Sequence, residues 1–531
     1  MAHDPDPVTA GELAACDPGE LSARFARPLM FGTAGLRGPV RGGPDAMNLA
    51  VVLRATWAVV QVLKDRCLGA ATVVVGHDAR HGSEAFATAT AEALAAEGFS
   101  VLLLPGPLPT PVLAFAVRHT GAAAGIQITA SHNPPSDNGY KVYFDGGVQI
   151  VAPTDRAIEA AMAAAPFADQ IARRPVQPAD TGLVDRYIER AARVRRSVGS
   201  IRVALTPLHG VGGAVTVETL RRAGIEDVHT VVAQFAPDPD FPTVAFPNPE
   251  EPGATDALLT LAADVGADIA IALDPDADRC AVGIPAPSGW RMLSGDETGW
   301  LLGDYILSHI DQSKLATSVV ASTVVSSRML AAIAASYGAR HVETLTGFKW
   351  LARADAELPG TTLVYAYEEA IGHCVDPAAV RDKDGISAAV LACDLMATLK
   401  AQRRSVLDAL DELARRHGVH AGAAVSRPVA DADEAANVMQ RLRAAPPGRL
   451  AGLATETTDL LQRRGRYRTD GLVFSGGDGD AWVRVVVRPS GTEPKLKCYI
   501  EVHCAVGGDL RDARVRAEAL RDQVVGLVQS W

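Results

Sequence analysis

One serine in this sequence stands among groups suited to group transfer. In Thr129-Ala130-Ser131-His132-Asn133-Pro134-Pro135, continuing through Asp137-Asn138-Gly139-Tyr140-Lys141, Ser131 lies beside a histidine and an asparagine, with a lysine ten residues on. A hydroxyl in this setting can carry a transferred group. It can equally cap a turn, the commonest use of serine beside Asn and Pro. The segment taken alone leaves both readings open.

A second stretch, Asp274-Pro275-Asp276-Ala277-Asp278-Arg279, carries the strongest single signal. Its three carboxylates at alternate positions converge on one side of an extended turn, as a hard divalent cation requires of oxygen ligands. An EF-hand begins the same way but then needs a glycine, and a glutamate at position twelve. Here Arg279 and Cys280 follow and position twelve is Pro285, so that alternative fails. An acidic surface turn is the plain alternative, and the apolar run feeding directly into the loop weighs against it. Near the other end of the chain, Arg488-Pro489-Ser490-Gly491-Thr492-Glu493-Pro494-Lys495 offers a guanidinium, hydroxyls, free backbone amides and an ammonium. Together they make a nest for a phosphate dianion, with a hairpin turn bearing incidental hydroxyls as the competing account. Phe31-Gly32-Thr33-Ala34-Gly35-Leu36-Arg37-Gly38 combines glycines, which let a backbone approach a ligand closely, with one guanidinium fork. A glycine-rich turn with a solvated arginine accounts for it as well.

These loops need a scaffold, and the sequence predicts one. The run Ala124-Gly125-Ile126-Gln127-Ile128 reads as a buried strand and the paired prolines stop any helix, which presents Ser131 at a strand end. Upstream, the opening to about residue 26 mixes Asp, Pro and Glu with short apolar pairs and reads as a loosely packed lead-in. A helix over 48–66, a strand at 71–75, a helix over 83–97 and a strand at 101–104 then alternate, as α/β layers do. Open sheets of that kind bind ligands at the carboxyl ends of their strands, where Ser131 falls.

A second unit begins near residue 201, after a charged linking helix over 185–196, and its strand Asp268-Ile269-Ala270-Ile271-Ala272-Leu273 delivers the three aspartates. A third, over about 318–415, has strands that end at Thr346-Gly347-Phe348-Lys349 and at Glu368-Glu369-Ala370-Ile371-Gly372-His373. Within it Arg381-Asp382-Lys383-Asp384-Gly385 precedes a helix over 386–402. For any one of these loops a solvated turn is as good a reading as a site. A fourth unit, from about residue 422, turns β-rich with a final amphipathic helix, and the loop from Arg488 to Lys495 joins two of its strands.

Bulk properties bound the answer. A chain of 531 residues, 48% of them hydrophobic, has room for about three to five domains. Its longest apolar stretches, such as 55–63, fall well short of the roughly 20 residues needed to span a bilayer, so no membrane partner is expected. The start, Met1-Ala2-His3-Asp4-Pro5-Asp6, has no basic segment followed by an apolar one, and no secretory signal is expected. Seven cysteines without a C-x-x-C pair fit a reducing cytoplasm. A net charge of −11 argues against nucleic acid as a partner, and any positive charge for a phosphate ligand must be concentrated locally.

Taken together and in this order, the loops resemble the α-D-phosphohexomutase superfamily, the phosphoglucomutases and phosphomannomutases, over nearly the whole chain. The resemblance implies an α/β protein of four-domain phosphohexomutase architecture, with three mixed α/β sandwich domains and a smaller α+β C-terminal domain around a central cleft. The expected domains are 1–198 for the phosphoserine, 199–310 for the metal, 311–420 for the sugar and 421–531 for the phosphate. By motif, Ser131 becomes the phosphorylated serine, with His132, Lys141, Arg37 and Arg279 as its catalytic neighbours. Asp274, Asp276 and Asp278, with Ser131, become the Mg²⁺ ligands. Gly347, Lys349, Glu368 and Ala370 fall to the sugar, and Arg488, Ser490, Gly491, Thr492, Lys495 and Arg381 to the phosphate that is not reacting.

Lys141 resembles the family lysine proposed to move the sugar hydroxyl proton, a role that requires a depressed pKa. The implied reaction interconverts hexose 1- and 6-phosphates, glucose and/or mannose, through a phosphoserine and a bisphosphate, with a sugar bisphosphate such as glucose 1,6-bisphosphate as activator. A phosphosugar is the implied partner, and the chain is expected as a monomer or homodimer. One departure bears on the sugar: the glucose and mannose enzymes usually carry a serine two residues after the sugar-loop glutamate, and here Ala370 stands there. The variants at 346–349, 367–372 and 31–35 look most like a branch that includes phosphopentomutases and bacterial enzymes named phosphomannomutases. A phosphopentomutase and a glucose 1,6-bisphosphate synthase are therefore the alternative activities. A catalytically silent phosphosugar-binding protein is a third reading, against which the complete set of loops argues.

Overall fold

Apolar runs without alternation become strands covered on both faces, and two such runs set the frame of this protein. In the computed structural model, which describes residues 3–32, 35–144, 146–490 and 495–531, every residue of Ala124–Ile128 and of Ile269–Leu273 is buried. The chain divides into two compact units, Met1–Ser294 with Ala370–Gln402, and Gly295–Glu369 with Arg403–Trp531.

The first unit holds two sheets. In one, the strands run in the order Leu36–Pro39, Asp137–Phe144, Ala124–Ile128, Thr72–His77, Ser100–Pro107. The pairs on either side of Thr72–His77 are parallel, and those on either side of Asp137–Phe144 are antiparallel. The helix Leu49–Asp65, capped by the Asn48 side chain on the Val51 N–H at 3.0 Å, buries its apolar face against this sheet with Ser83–Ala96. Each fully buried Val, Leu or Ile in that core contributes about 1.5–3 kcal/mol.

In the other sheet the order is Gly289–Met292, Cys280–Ala286, Ile269–Leu273, Arg202–Thr206, Asp227–Thr230, parallel only over the last three. The helix Gly385–Ala401, capped by Asp384, packs on this sheet although it follows the segment 295–369 in sequence.

The opening differs from the sequence expectation. In place of a loose lead-in, helices Pro7–Ala15 and Pro18–Ala26 form, each with a capping aspartate and a proline at its start. Arg24, buried, bridges Glu12 and Glu20 at 2.6 Å each and donates to the Gly42 carbonyl at 2.9 Å, tying these helices down.

The second unit contains three parallel strands in the order Arg340–Thr344, Ser318–Thr323, Thr362–Glu368. It also contains an antiparallel sheet ordered Val419–Pro428, Lys495–Cys504, Ala481–Pro489, Leu472–Gly477, Glu456–Asp459. The long helix Leu510–Gln529 covers the first two of those strands.

Candidate active site

In the first unit, the ends of two buried strands face one another. Three residues past Ile128, Ser131 adopts a left-handed backbone with φ +53°, an uncommon conformation for a residue with a side chain. Thr129 Oγ1 accepts from the Ser131 N–H at 2.9 Å and fixes that turn. The Ser131 hydroxyl, in a residue only 2% exposed, donates to Asp274 Oδ2 at 2.8 Å and lies 3.3 Å from His132 Nδ1. Burial first, then the Arg279 and Arg37 guanidinium groups, hold the His132 imidazole well below its ordinary pKa.

The three aspartates occupy the loop that joins Ile269–Leu273 to Cys280–Ala286, whose paired residues Leu273 and Cys280 close the hairpin. Asp274, Asp276 and Asp278 are buried, and one oxygen from each lies within 4.8 Å of the others. Burial and the two neighbouring carboxylates push the Asp274 carboxyl well above the usual aspartate range. Burial pushes Asp276 the same way, but the Lys141 ammonium beside it more than reverses the effect. For Asp278, burial and Asp276 act upward while Lys141, Lys383 and Arg279 bring the net shift down.

Lys141 pairs in register with Gln127 on the serine strand, and its Nζ donates to Asp276 Oδ2 at 2.7 Å and Asp278 Oδ2 at 2.9 Å. Burial acts to lower its pKa, but the two aspartates outweigh it and the net shift is upward. The depression required of a proton-moving lysine is therefore reversed here, because both carboxylates hold the ammonium form. Arg37, paired in register with Gly139, donates to Asn133 Oδ1 at 3.3 Å. Arg279 gives its backbone N–H to Asp274 Oδ1 at 3.0 Å and sets Nε 3.9 Å from Asp278 Oδ1.

The donor set suits a divalent cation. Asp276 Oδ1 and Asp278 Oδ1 are buried without a hydrogen-bond partner, so the loop keeps two hard oxygen donors in reserve beside Asp274.

Several residues of this site escaped the sequence reading. Thr110 donates its hydroxyl to Asp276 Oδ2 at 2.6 Å and its N–H to the Asp276 carbonyl at 2.9 Å. Lys383 places Nζ 3.2 Å from Asp278 Oδ2, in a segment whose Gly385 N–H donates to the Ala277 carbonyl at 3.1 Å. Arg80 grips the serine loop through four backbone carbonyls. An ionisable side chain directly after an apolar strand or before a long helix, as in His77-Asp78-Ala79-Arg80 and Lys383-Asp384-Gly385, was the available signal. Ala370 and Arg381 also fall in this unit, both half-buried, and Cys280 is tied to the Ile371 carbonyl at 3.1 Å.

The second unit holds Gly347, Lys349, Glu368, Arg488, Ser490 and Lys495, while Gly491 and Thr492 lie outside the described residues. Gly347 has φ +104°, and Lys349, buried, follows it in the short helix Phe348–Leu351. Glu368 ends its strand half-buried. Glu369 next to it accepts from the Thr323 and Ser326 hydroxyls at 2.9 and 2.8 Å. Arg488 donates to the Tyr499 hydroxyl at 3.3 Å, and Ser490 N–H donates to the Lys495 carbonyl at 2.8 Å across the hairpin. Burial raises the Tyr499 phenol, with Arg488 opposing and Glu369 and Glu368 adding to it. Glu368 and Arg488 thus share a neighbour, Tyr499, that the sequence did not single out.

No helix among the described residues is long and apolar enough to cross a membrane. Four consecutive family models match the chain. They are described as phosphoglucomutase/phosphomannomutase alpha/beta/alpha domains I, II and III and the C-terminal domain, over residues 28–169, 185–286, 294–417 and 426–519. A Haemophilus influenzae protein named "Probable phosphomannomutase" is 40% identical over 89% of this chain and 96% of its own. The phosphopentomutase of Mus musculus is 32% identical over 100% of this chain and 93% of its own. Among solved structures, the open form of the phosphoglucomutase parafusin from Paramecium shares the fold with a TM-score of 0.70 at 20% identity, covering 94% of this chain and 95% of that one. The chain is a phosphomutase, and it belongs to the phosphoglucomutase/phosphomannomutase family of the α-D-phosphohexomutase superfamily.

Proposed function

We propose that the protein interconverts hexose 1-phosphate and hexose 6-phosphate, of glucose and/or mannose, with Ser131 as the phosphoryl carrier and a sugar bisphosphate as the intermediate. The observation that carries this reading is the Ser131 hydroxyl 2.8 Å from Asp274, inside a buried cluster of three aspartates with two unused carboxylate oxygens.

Asp274, Asp276 and Asp278, with phosphorylated Ser131, would hold Mg²⁺, which supplies charge neutralisation at the phosphoryl oxygens. Arg37 and Arg279 add fixed positive charge beside the serine. In the forward half-reaction the bond from phosphorus to Ser131 Oγ breaks as one to a sugar hydroxyl oxygen forms. That hydroxyl's proton passes to an unprotonated base, while Lys141 Nζ, held as the ammonium by Asp276 and Asp278, adds positive charge beside the cluster. His132, held neutral, keeps an unprotonated imidazole close to Oγ. The return half-reaction moves the other phosphoryl group of the bisphosphate onto the same serine. Gly347, Lys349, Glu368 and Ala370 are assigned to the sugar, and Arg488, Ser490, Gly491, Thr492, Lys495 and Arg381 to the phosphate at rest. A sugar bisphosphate such as glucose 1,6-bisphosphate primes the serine. The roles divide by region as 1–198, 199–310, 311–420 and 421–531.

A pentose substrate is the second reading. It is favoured by Ala370, which removes a hydroxyl contact to the sugar, and by the 32% identity to a phosphopentomutase along the whole chain. A coupled assay on glucose, mannose, ribose and deoxyribose 1-phosphates, with Mg²⁺ and a trace of bisphosphate, separates the two. Turnover fastest on a hexose is expected, a pentose preference would select the second reading, and silence on all four would remove both. Intact-mass measurement should show one added phosphate that is absent from Ser131→Ala.

A further inference from the structure

Between Ala130 and Asp137 the backbone forms neither a helix nor a sheet ladder, and Pro134 and Pro135 contribute no N–H groups. Backbone donors reach only some of its carbonyls, among them those of Ala130, Pro134 and Ser136, and one side chain caps four carbonyls of the loop and its exit. Arg80 Nη2 donates to the carbonyls of Ser131 and Asn133 at 2.7 Å each, and Nη1 to those of Pro134 at 2.7 Å and Asp137 at 3.1 Å.

The guanidinium is itself held. Its side chain is 1% exposed, Nε lies 3.5 Å from Asp78 Oδ2, and the ring of Phe241 lies 5.0 Å from its central carbon. Asp78 Oδ1 accepts from the Arg80 N–H at 2.9 Å and the Ser83 hydroxyl at 2.6 Å, and Asn138 Nδ2 donates to Ser83 Oγ at 2.9 Å. The network therefore runs from the end of Thr72–His77, the strand paired with Ala124–Ile128, to Asn138 on the strand that leaves the serine loop.

We infer that Arg80 is a positioning residue for the phosphoryl carrier: by clamping the Ser131 carbonyl it holds that residue in its left-handed conformation and keeps Oγ aimed at the aspartate cluster. A left-handed residue with a side chain is disfavoured by roughly 1–3 kcal/mol and persists only where its surroundings over-determine it. Four carbonyl contacts from a planar fork provide that constraint, and a lysine, with a single rotating ammonium, cannot reproduce the geometry. Arg80 does not face the reacting atoms, so its contribution is to geometry, while substrate affinity is set elsewhere.

The inference rests on Ser131 as the carrier, so its test has one arm that needs no turnover. In Arg80→Lys and Arg80→Gln, amide hydrogen exchange of the peptide spanning 129–140 is expected to rise, with the peptides of Thr72–His77 and Ile269–Leu273 unchanged. Made in the Ser131→Ala background, this arm reads the clamp even if the mutase assignment fails. In the active enzyme both variants should lose kcat by on the order of 100-fold with KM altered by less than about threefold, because small misplacement of a reacting group is costly while ground-state binding is untouched. Ser131 phosphorylation by the bisphosphate should slow in parallel. Loop exchange unchanged in either variant would overturn the inference, as would Arg80→Lys with kcat within about threefold of the parent. A loss of kcat matched by an equally destabilised core variant such as Leu63→Ala would overturn it too, by reducing Arg80 to a general stabiliser.

Discussion

Burying a carboxylate has two outcomes in this protein, and the difference lies in what faces it. Asp276 is buried with an ammonium 2.7 Å away and stays ionised despite desolvation. Asp296, in the second unit, accepts from the Tyr367 hydroxyl at 2.8 Å and the Ser327 N–H at 2.9 Å and has only neutral donors. Asp296 is half-buried, but desolvation of its carboxyl dominates, the Glu501 and Glu369 carboxylates add to it, those two hydrogen bonds oppose it incompletely, and the carboxyl is pushed up to about 7. The stability consequence has a definite sign. Below the unfolded value of 3.8 both states hold the proton and nothing is gained or lost. Between 3.8 and about 7 the unfolded chain releases a proton that the folded unit retains, so stability falls as pH rises, and above that window the loss is complete. At about 1.4 kcal/mol per unit of pKa difference the effect reaches a few kcal/mol. Asp296→Asn keeps an oxygen acceptor and cannot titrate. Its stability relative to the parent, from urea unfolding of the second unit, should improve by about that amount from pH 4 to pH 7. A difference that does not vary with pH would mean that Asp296 titrates normally.

The loop of the three aspartates is shaped by the elements pressed against it as much as by its own residues. The helix Gly385–Ala401 starts directly on it: a Cβ at Gly385 would lie 2.4 Å from the Arg279 carbonyl oxygen and 2.8 Å from that of Ala277. Both are backbone atoms and neither can rotate away, so either the helix or the loop has to move. Gly385→Ala should lower stability by about 1–3 kcal/mol and weaken activation by Mg²⁺, read as the metal concentration giving half-maximal rate. Gly448→Ala, where nothing lies within 4 Å, should change neither, and an unaltered Mg²⁺ response in Gly385→Ala would separate the helix from that loop.

Such contacts mark the limit of what the sequence reveals. The strands Ala124–Ile128 and Ile269–Leu273 were legible because uninterrupted apolar runs ending in polar turns have few other uses, and they placed Ser131 and the aspartates correctly at strand ends. The two opening helices were signalled by Asp6-Pro7 and Asp17-Pro18, cap followed by first-turn proline, but their short apolar content hid them. The places of Arg80 after an apolar strand and Lys383 before a long helix were legible, but not what they or Thr110 bind, because those main-chain carbonyls and carboxylates lie far away in sequence. Only the folded sheet brings those together.

For the whole molecule, the division into two compact units determines how ligands are felt. All three aspartates, Ser131, Lys141 and Lys383 belong to the first unit, while Glu368, Arg488 and Ser490 belong to the second. A ligand stabilises only what it binds, by RT ln(1 + [L]/Kd), or about 2.7 kcal/mol at a hundred times Kd. Two units with separate cores are expected to give two calorimetric transitions in place of one. Mg²⁺ should then raise only the transition of the first unit. The first unit is larger than the domains of 150–250 residues that move by roughly 2–4 °C per kcal/mol, so saturating Mg²⁺ should shift its transition by a few degrees. Chelation should reverse the shift. Asp276→Ala removes one of the two oxygen donors left unpaired in the loop, and it also frees Lys141 from one partner while leaving the other at 2.9 Å. In that variant the first transition should persist but no longer respond to Mg²⁺, and the second should match the parent. A Mg²⁺ shift that survives in Asp276→Ala, or one that moves both transitions equally, would place the cation somewhere other than between these three carboxylates.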